Sequence, residues 1–302
     1  MTGYVVYNGF RYPAVPPDPA VRLIRAGRNN GIDIRPLPNT AAVAAFFPDA
    51  GGVSRSASIS VRILTEPAAG RPDFVLFWDK DVRLARAMEA AGWRLYNAAD
   101  AIALCDDKAA MHLALARHGI PMPRTLVAPM TYPDMDHGPV GPFLAYAARQ
   151  LGFPMVVKEC FGSLGGQVYL ARDPTELARL ADAMAARPFL CQQYIPGGNT
   201  DKRLYVVGDR VAAAMTRHNP TDFRANIAGG GVSAPYSPTA EETALAVESC
   251  RALGLDFGGV DILDGGGPLV CEVNASAYLA EIERVTGVDV ASEIIQCLMH
   301  NA

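Results

Sequence analysis

The sequence predicts an α/β protein that passes into an α+β protein, arranged as two or three compact units. Three observations carry this reading. The 302 residues exceed one typical domain. Half of them are hydrophobic and only 19% are charged, which suits a well-buried core. Short apolar runs alternate with amphipathic stretches through the first hundred residues and then give way to turn-linked strand pairs.

Residues 3–7 read as a short apolar strand, followed by a proline-rich loop over 12–19. A helix over 20–30 offers Val21, Leu23, Ile24 and Ala26 to the core, and Gly31 stops it. Residues 47–60, rich in Gly, Ser and Ala, read as loop. A buried strand at 73–78 and a helix at 81–91 closed by Gly92 complete an N-terminal open α/β unit over 1–96 with parallel strands.

A second unit spans 97–195. Its helix over 107–118 ends at Gly119, and Pro121 and Pro123 cannot prolong it. A strand follows at 125–128, then an exposed insertion over 129–142 rich in proline and glycine. Helices at 143–151 and 174–186 alternate with strands at 154–158, 168–171 and 189–194. The third unit, 196–302, contains two hairpins. One turns at Gly208-Asp209 between strands 204–207 and 211–215; the other turns at residues 264–267 between 258–263 and 268–274. A helix over 239–253 opens on Thr239 with acidic residues in its first turn, and a helix over 288–298 ends the chain.

The formal net charge of −4 without a basic block argues against a nucleic-acid partner, which demands clustered Lys and Arg. The start of the sequence lacks a charged leader, and no apolar run reaches membrane-spanning length, so a cytoplasmic protein with no membrane partner is expected. Six scattered cysteines without a CxxC pair predict reduced thiols rather than zinc or disulfides. The five histidines show no metal spacing, and no GxSxG elbow is present.

Three groups of residues are candidates for chemistry. Glu272 and Asn274, two apart in a strand, share a face. Asp261 joins them if the turn is the four residues 264–267, which pairs Asp261 with Val270; a turn one residue shorter faces it away. Three hard oxygen ligands suit magnesium, and the alternative is an ordinary solvated strand face. Lys158 ends an apolar strand before Gly162, Ser163, Gly165 and Gly166, where backbone N–H groups can approach phosphate; the alternative is a flexible hairpin tip. Arg224 and Asn226 alternate in an extended segment, and Arg203 is a second arginine suited to phosphate or carboxylate; the alternative is surface charge.

In their order these segments resemble the ATP-grasp superfamily, specifically the RimK-like carboxylate–amine (alpha-L-glutamate-type) ligases. The resemblance covers roughly residues 97 to 300. It is carried by Cys105-Asp106-Asp107-Lys108, Phe153-Pro154-Met155-Val156-Val157-Lys158 with its glycine loop, Cys191-Gln192-Gln193-Tyr194-Ile195, Asp201-Lys202-Arg203, Phe223-Arg224-Ala225-Asn226 and Cys271-Glu272-Val273-Asn274. It implies an ATP-grasp fold behind an N-terminal pre-ATP-grasp domain, with the lid loop in the second unit and the metal site in the third. It also implies an ADP-forming ligase that makes an amide through an acylphosphate, using ATP and Mg2+ (or Mn2+). Its substrates would be a carboxylate and an amine, with glutamate or another amino acid added to a peptide, protein or small molecule.

By the same resemblance Lys108 and Lys158 contact phosphates, and the loop from Gly162 through Ser163 and Gly165 to Gly166 closes as a lid. Gln193, Tyr194 and Ile195 meet the adenine, Asp201 the ribose, and Arg203, Arg224 and Asn226 the phosphates. Lys158, Arg224 and Asn226 act at the reaction centre, and Asp261, Glu272 and Asn274 hold the metal. Gln193 stands where the family carries Glu, which keeps the carbonyl acceptor and removes the charge. Lys202 replaces a usual apolar residue. Dimers and tetramers are common in the family, so a homo-oligomer is compatible with it. The other readings are an ATP-grasp carboxylase or phosphotransferase, or a non-catalytic nucleotide-binding module.

Overall fold

The computed structural model describes residues 1–48, 57–65, 70–132, 140–163, 165–184, 186–197, 199–225 and 230–300. Its first sheet is wholly parallel. β1 (Thr2–Tyr7) lies between β2 (Asp33–Pro38) and β5 (Phe74–Phe77), with β6 (Leu95–Tyr96) beyond β5. Parallel neighbours need crossovers, and α1 (Asp18–Asn29) and α2 (Val82–Ala90) supply them. Both faces are therefore covered, and every residue of β5 is buried. α1 starts ahead of the expected residue 20, because Pro19 in its first turn forfeits an N–H that has no helical partner there.

Two elements of this unit depart from the sequence reading. β2 was hidden by Pro36 and Pro38, which are tolerated because it is an edge strand. The expected loop over 47–60 instead contributes to an antiparallel pair, β3 (Ala42–Pro48) with β4 (Ala57–Ile63), in which Phe46 faces Ile59. Its Ala and Ser content masked the strands; residues 49–56 lie outside the described residues.

The expected helix over 107–118 is the second of two. α3 (Ala99–Asp106) precedes α4 (Lys108–Arg117), and Asp107 between them accepts hydrogen bonds from the N–H groups of Ala109 and Ala110. The second sheet is antiparallel in the order β7 (Thr125–Val127), β10 (Phe189–Gln193), β8 (Met155–Glu159), β9 (Val168–Ala171). α5 (Gly141–Leu151) and α6 (Pro174–Ala183) cover it with a core of its own, built from Leu151, Met155, Val157, Leu177, Leu180 and Phe189. Residues 133–139 of the expected insertion lie outside the described residues.

The third sheet runs β13 (Val232–Pro235), β12 (Arg210–His218), β11 (Thr200–Val207), β14 (Phe257–Asp264), β15 (Pro268–Asn274). α7 (Ala240–Ala252), α8 (Ala280–Thr286) and α9 (Val290–His300) pack on it, and Thr239 and Glu242 form a reciprocal capping box at the start of α7. The first and third sheets share their cores. One cluster joins Val75, Phe77 and Met88 to Val260, Ile262 and Val273 through Ile102 and Met111 of α3 and α4. Asn97, fully buried, fastens the junction: its amide donates to the carbonyls of Phe257 (2.9 Å) and Ala275 (3.0 Å) and accepts from the N–H groups of Asp256 (2.8 Å) and Phe257 (3.2 Å).

Candidate active site

A cavity of about 640 Å3 opens where the second and third sheets face each other, with loops of the first sheet along one side. Lys108, Lys158, Ser163, Gly165, Gln193, Tyr194, Ile195, Asp201, Arg203, Arg224, Asp261, Glu272 and Asn274 all line it. Gly162 and Gly166 belong to the adjoining loop, and Asn226 lies outside the described residues.

Two bulges aim the charged residues. The β14–β15 turn is shorter than expected, since Asp264 pairs with Pro268 and Ile262 with Val270. Continued regularly, that register would set Asp261 opposite Cys271 and turn it away from Glu272. A register shift follows Ile262 instead, and Asp261 pairs with Glu272 rather than the expected Val270. Asp261, Glu272 and Asn274 thus share a face by a different route from the one the turn length predicted. A second shift between Tyr205 and Val206 sets Asp201 opposite Arg217.

The result is a chain of alternating charges, buried at Asp261 and Arg217 and partly buried at Asp201 and Arg203. Asp261 accepts from Arg203 Nε and Nη2, both at 2.7 Å, and from Arg217 at 2.9 Å. Arg217 also donates to both oxygens of Asp201, at 2.7 and 2.6 Å. Burial opposes ionisation of Asp261, but its two arginines outweigh it and hold the carboxyl below the usual range. Asp201 gains less from Arg217 than burial takes away, so its carboxyl is raised. Arg217 was missed in the sequence because only the bulge brings it opposite Asp201.

On the facing wall Lys158 is buried, with Nζ 3.5 Å from Cys271 Sγ; burial keeps that thiol protonated and neutral. Lys108 Nζ lies 3.5 Å from Glu272 Oε1 and 3.5 Å from the Gly162 carbonyl, which also accepts from Lys80 at 3.3 Å. The glycine loop requires its glycines: φ is 149° at Gly162 and 73° at Gly165, and a Cβ on Gly162 would sit 2.4 Å from Gln167 Oε1. Arg224 is held by both oxygens of Asp222 and donates to the Gly165 carbonyl at 2.8 Å, so it braces this loop. Gln193 uses the carbonyl it shares with Glu to accept from Arg124 Nε at 3.2 Å. Lys202 points out of the site, paired with Glu242 at 2.6 Å and set over the Tyr236 ring.

A family model of the RimK-like ATP-grasp domain matches residues 105–298. The chain belongs to the RimK-like ATP-grasp family. It is 37% identical to a ribosomal protein bS6–L-glutamate ligase of Escherichia coli over 72% of this chain and 71% of that one. The fold matches a RimK domain ATP-grasp protein from Sphaerobacter thermophilus (TM-score 0.70, 22% identity, 99% of this chain and 100% of that one). It also matches the ATP-grasp ligase PsnB solved with a phosphomimetic variant of its minimal precursor, Mg and ADP (TM-score 0.69, 18% identity, 99% and 97%). As a member of this family the protein is an ATP-dependent, ADP-forming ligase of C–N bonds. Among the described residues no helix is long and apolar enough to cross a membrane.

The side chains of this ATP-grasp cavity fit a magnesium ion. Glu272 and Asn274 present hard oxygens on one face. Asp261 already accepts three hydrogen bonds from Arg203 and Arg217. A carboxylate offers about four acceptor positions, so about one remains for a cation.

Behind the lysines, His112 is buried and its Nε2 lies 3.1 Å from Gln192 Nε2, whose amide also donates to Thr125 Oγ1 at 2.9 Å. An amide nitrogen donates, so His112 Nε2 accepts and the ring proton sits on Nδ1. Burial first, then Lys158 and Lys108, push the His112 pKa down to about 3. The unfolded chain therefore binds a proton below about pH 6.5 that the folded chain refuses, and stability drops as the pH is lowered, by up to about 1.4 kcal/mol per unit. Asp256, raised to about 6, has the opposite effect as pH falls. Urea unfolding of His112→Gln and wild type from pH 7 to 5 isolates the histidine: the wild type is expected to lose more stability, and parallel profiles would refute the assignment.

Proposed function

We propose that the cavity binds magnesium–ATP and activates a substrate carboxylate for attack by an amine. The observation that carries this is the convergence of Lys108, Lys158, Glu272 and Asn274 with the glycine loop in one cavity, Lys108 Nζ being 3.5 Å from Glu272 Oε1. Lys108 and Lys158 bind phosphate oxygens, and the loop of Gly162, Ser163, Gly165 and Gly166 closes over them. Gln193, Tyr194 and Ile195 hold the base, and Asp201 the ribose side. Asp261, Glu272 and Asn274 hold magnesium, whose charge offsets that of the transferring phosphoryl group.

A carboxylate is a poor electrophile. Transfer of the γ-phosphoryl group to its oxygen gives an acylphosphate and ADP; the amine then forms the C–N bond and phosphate leaves. Lys158 and Arg224 neutralise charge that grows during transfer, in a site where burial strengthens each contact. Arg203 and Arg217 keep Asp261 ionised. The glutamate named for the Escherichia coli relative makes L-glutamate the first amine to test.

ADP release is to be measured with ATP, magnesium, each amino acid and a panel of carboxylate acceptors, with product masses recorded. An adduct heavier by one amino acid less water, formed with stoichiometric ADP, supports the ligase. ATP binding without ADP across the panel would instead indicate a nucleotide-binding module.

A further inference from the structure

We propose that the crevice beyond the ends of β1 and β5 seats a free α-amino acid, its ammonium at Asp79 and its carboxylate at Arg11. This rests on the ligase reading above and assigns a place to the amine substrate. In the first sheet the strand order is β2-β1-β5-β6, so the chain leaves β1 toward one edge and β5 toward the other. Open parallel sheets hold ligands outside the carboxyl ends of their strands at such a reversal. Both loops that emerge there, Asn8 to Tyr12 after β1 and Trp78 to Lys80 after β5, reach the wall of the ATP-grasp cavity.

Asn8 ties the two loops together. Its Nδ2 lies 3.4 Å from both oxygens of Asp79, and its Oδ1 accepts from the N–H of Arg11 at 3.0 Å. Asp79 is a half-buried carboxylate whose hydrogen bonds come from neutral donors, Asn8 and the backbone N–H of Lys80 at 2.8 Å. The Lys80 ammonium beside it is spent on Asp106, at 2.5 Å, and on the Gly162 carbonyl. Burial accordingly pushes the Asp79 carboxyl up. A carboxylate removed from water without a cation is costly, and a ligand ammonium would relieve that cost.

Arg11 provides the opposite pole. Its guanidinium lies over the Tyr12 ring at 5.7 Å and has no ion pair among the described residues. The Tyr12 hydroxyl is hydrogen-bonded to Tyr278, which also lines the cavity, so the arginine stands against a fixed aromatic wall. Among the described residues neither Asp79 nor Arg11 has an ion-pair partner, and an anion and a cation on the same wall complement a molecule carrying both charges. Lys80, next in sequence to Asp79, shares the Gly162 carbonyl with Lys108, which places this crevice beside the phosphate end of the cavity.

The test is calorimetry on the full chain with magnesium and AMPPNP, titrated with each of the twenty amino acids, their α-carboxamides and their deamino analogues. At least one amino acid should bind, and both of its analogues should bind wild type about tenfold or more weaker. Asp79→Asn should erase the preference over the deamino analogue, and Arg11→Gln the preference over the carboxamide. The proposal is overturned if AMPPNP binds but no amino acid does, or if the variants keep both preferences. It is also overturned if wild type does not discriminate its ligand from the analogues, a result that needs no variant to fold. Failure of AMPPNP itself to bind would bring down the ligase reading and this proposal with it.

Discussion

Lys158→Met is expected to lower kcat by about 10²–10³-fold while leaving the fold intact, because it removes one preorganised positive charge from the proposed phosphoryl-transfer site. Lys158 is buried in the middle sheet, its stem packed in β8 and its ammonium beside the neutral Cys271 thiol. Methionine keeps the volume of that stem without burying a charge, so the melting temperature should hold or rise. A loss of activity tracking a loss of stability would show that the lysine is structural. Turnover and thermal unfolding of the same preparation separate the two.

Asp261 and Glu272 share a face, yet their removal should have different consequences. Glu272 is partly exposed and has one long contact, to Lys108 at 3.5 Å, so Glu272→Gln should change stability by no more than about 1 kcal/mol. Its effect should appear in catalysis: the magnesium concentration for half-maximal activity rises by about tenfold or more. Asp261 is the shared partner of the buried Arg217 and the partly buried Arg203, and Asp261→Asn strands both. Breaking a buried pair on one side costs about 3–5 kcal/mol, so this variant should lose stability as well as activity. Magnesium titrations of activity beside urea unfolding test both statements. Equal stability for the two variants would contradict the role given to the arginines.

The sequence displayed the chemistry better than the geometry that aims it. Lys158, Glu272 and Asn274 were legible because each lies in an apolar strand where a polar residue is conspicuous, and alternation assigns its face. The pairings of Asp261 and Asp201 were not. Each depends on one extra residue in a hairpin, and a shift of one residue turns a side chain to the other face. A bulge leaves no mark in hydrophobic periodicity, so nothing in the sequence singled out Arg217, two residues past the expected end of its strand. Asn8, Arg11 and Asp79 were hidden for another reason: nothing local tells a loop residue which distant cavity it meets. The edge strand β2 was lost to its prolines, and α3 to the weak amphipathic signal of a short helix buried on several sides.

The cores of the first and third sheets are fused, whereas the second sheet keeps its own. Mechanically that makes two jaws. Lys158 and the loop from Gly162 ride on one, while Lys108 on α4 packs with the fused pair that carries Asp261 and Glu272. A polyphosphate held by both lysines, as proposed above, would span the two and bolt the jaws together. Its cleavage to two separate anions would draw that bolt, coupling the end of the chemistry to the reopening of the cleft.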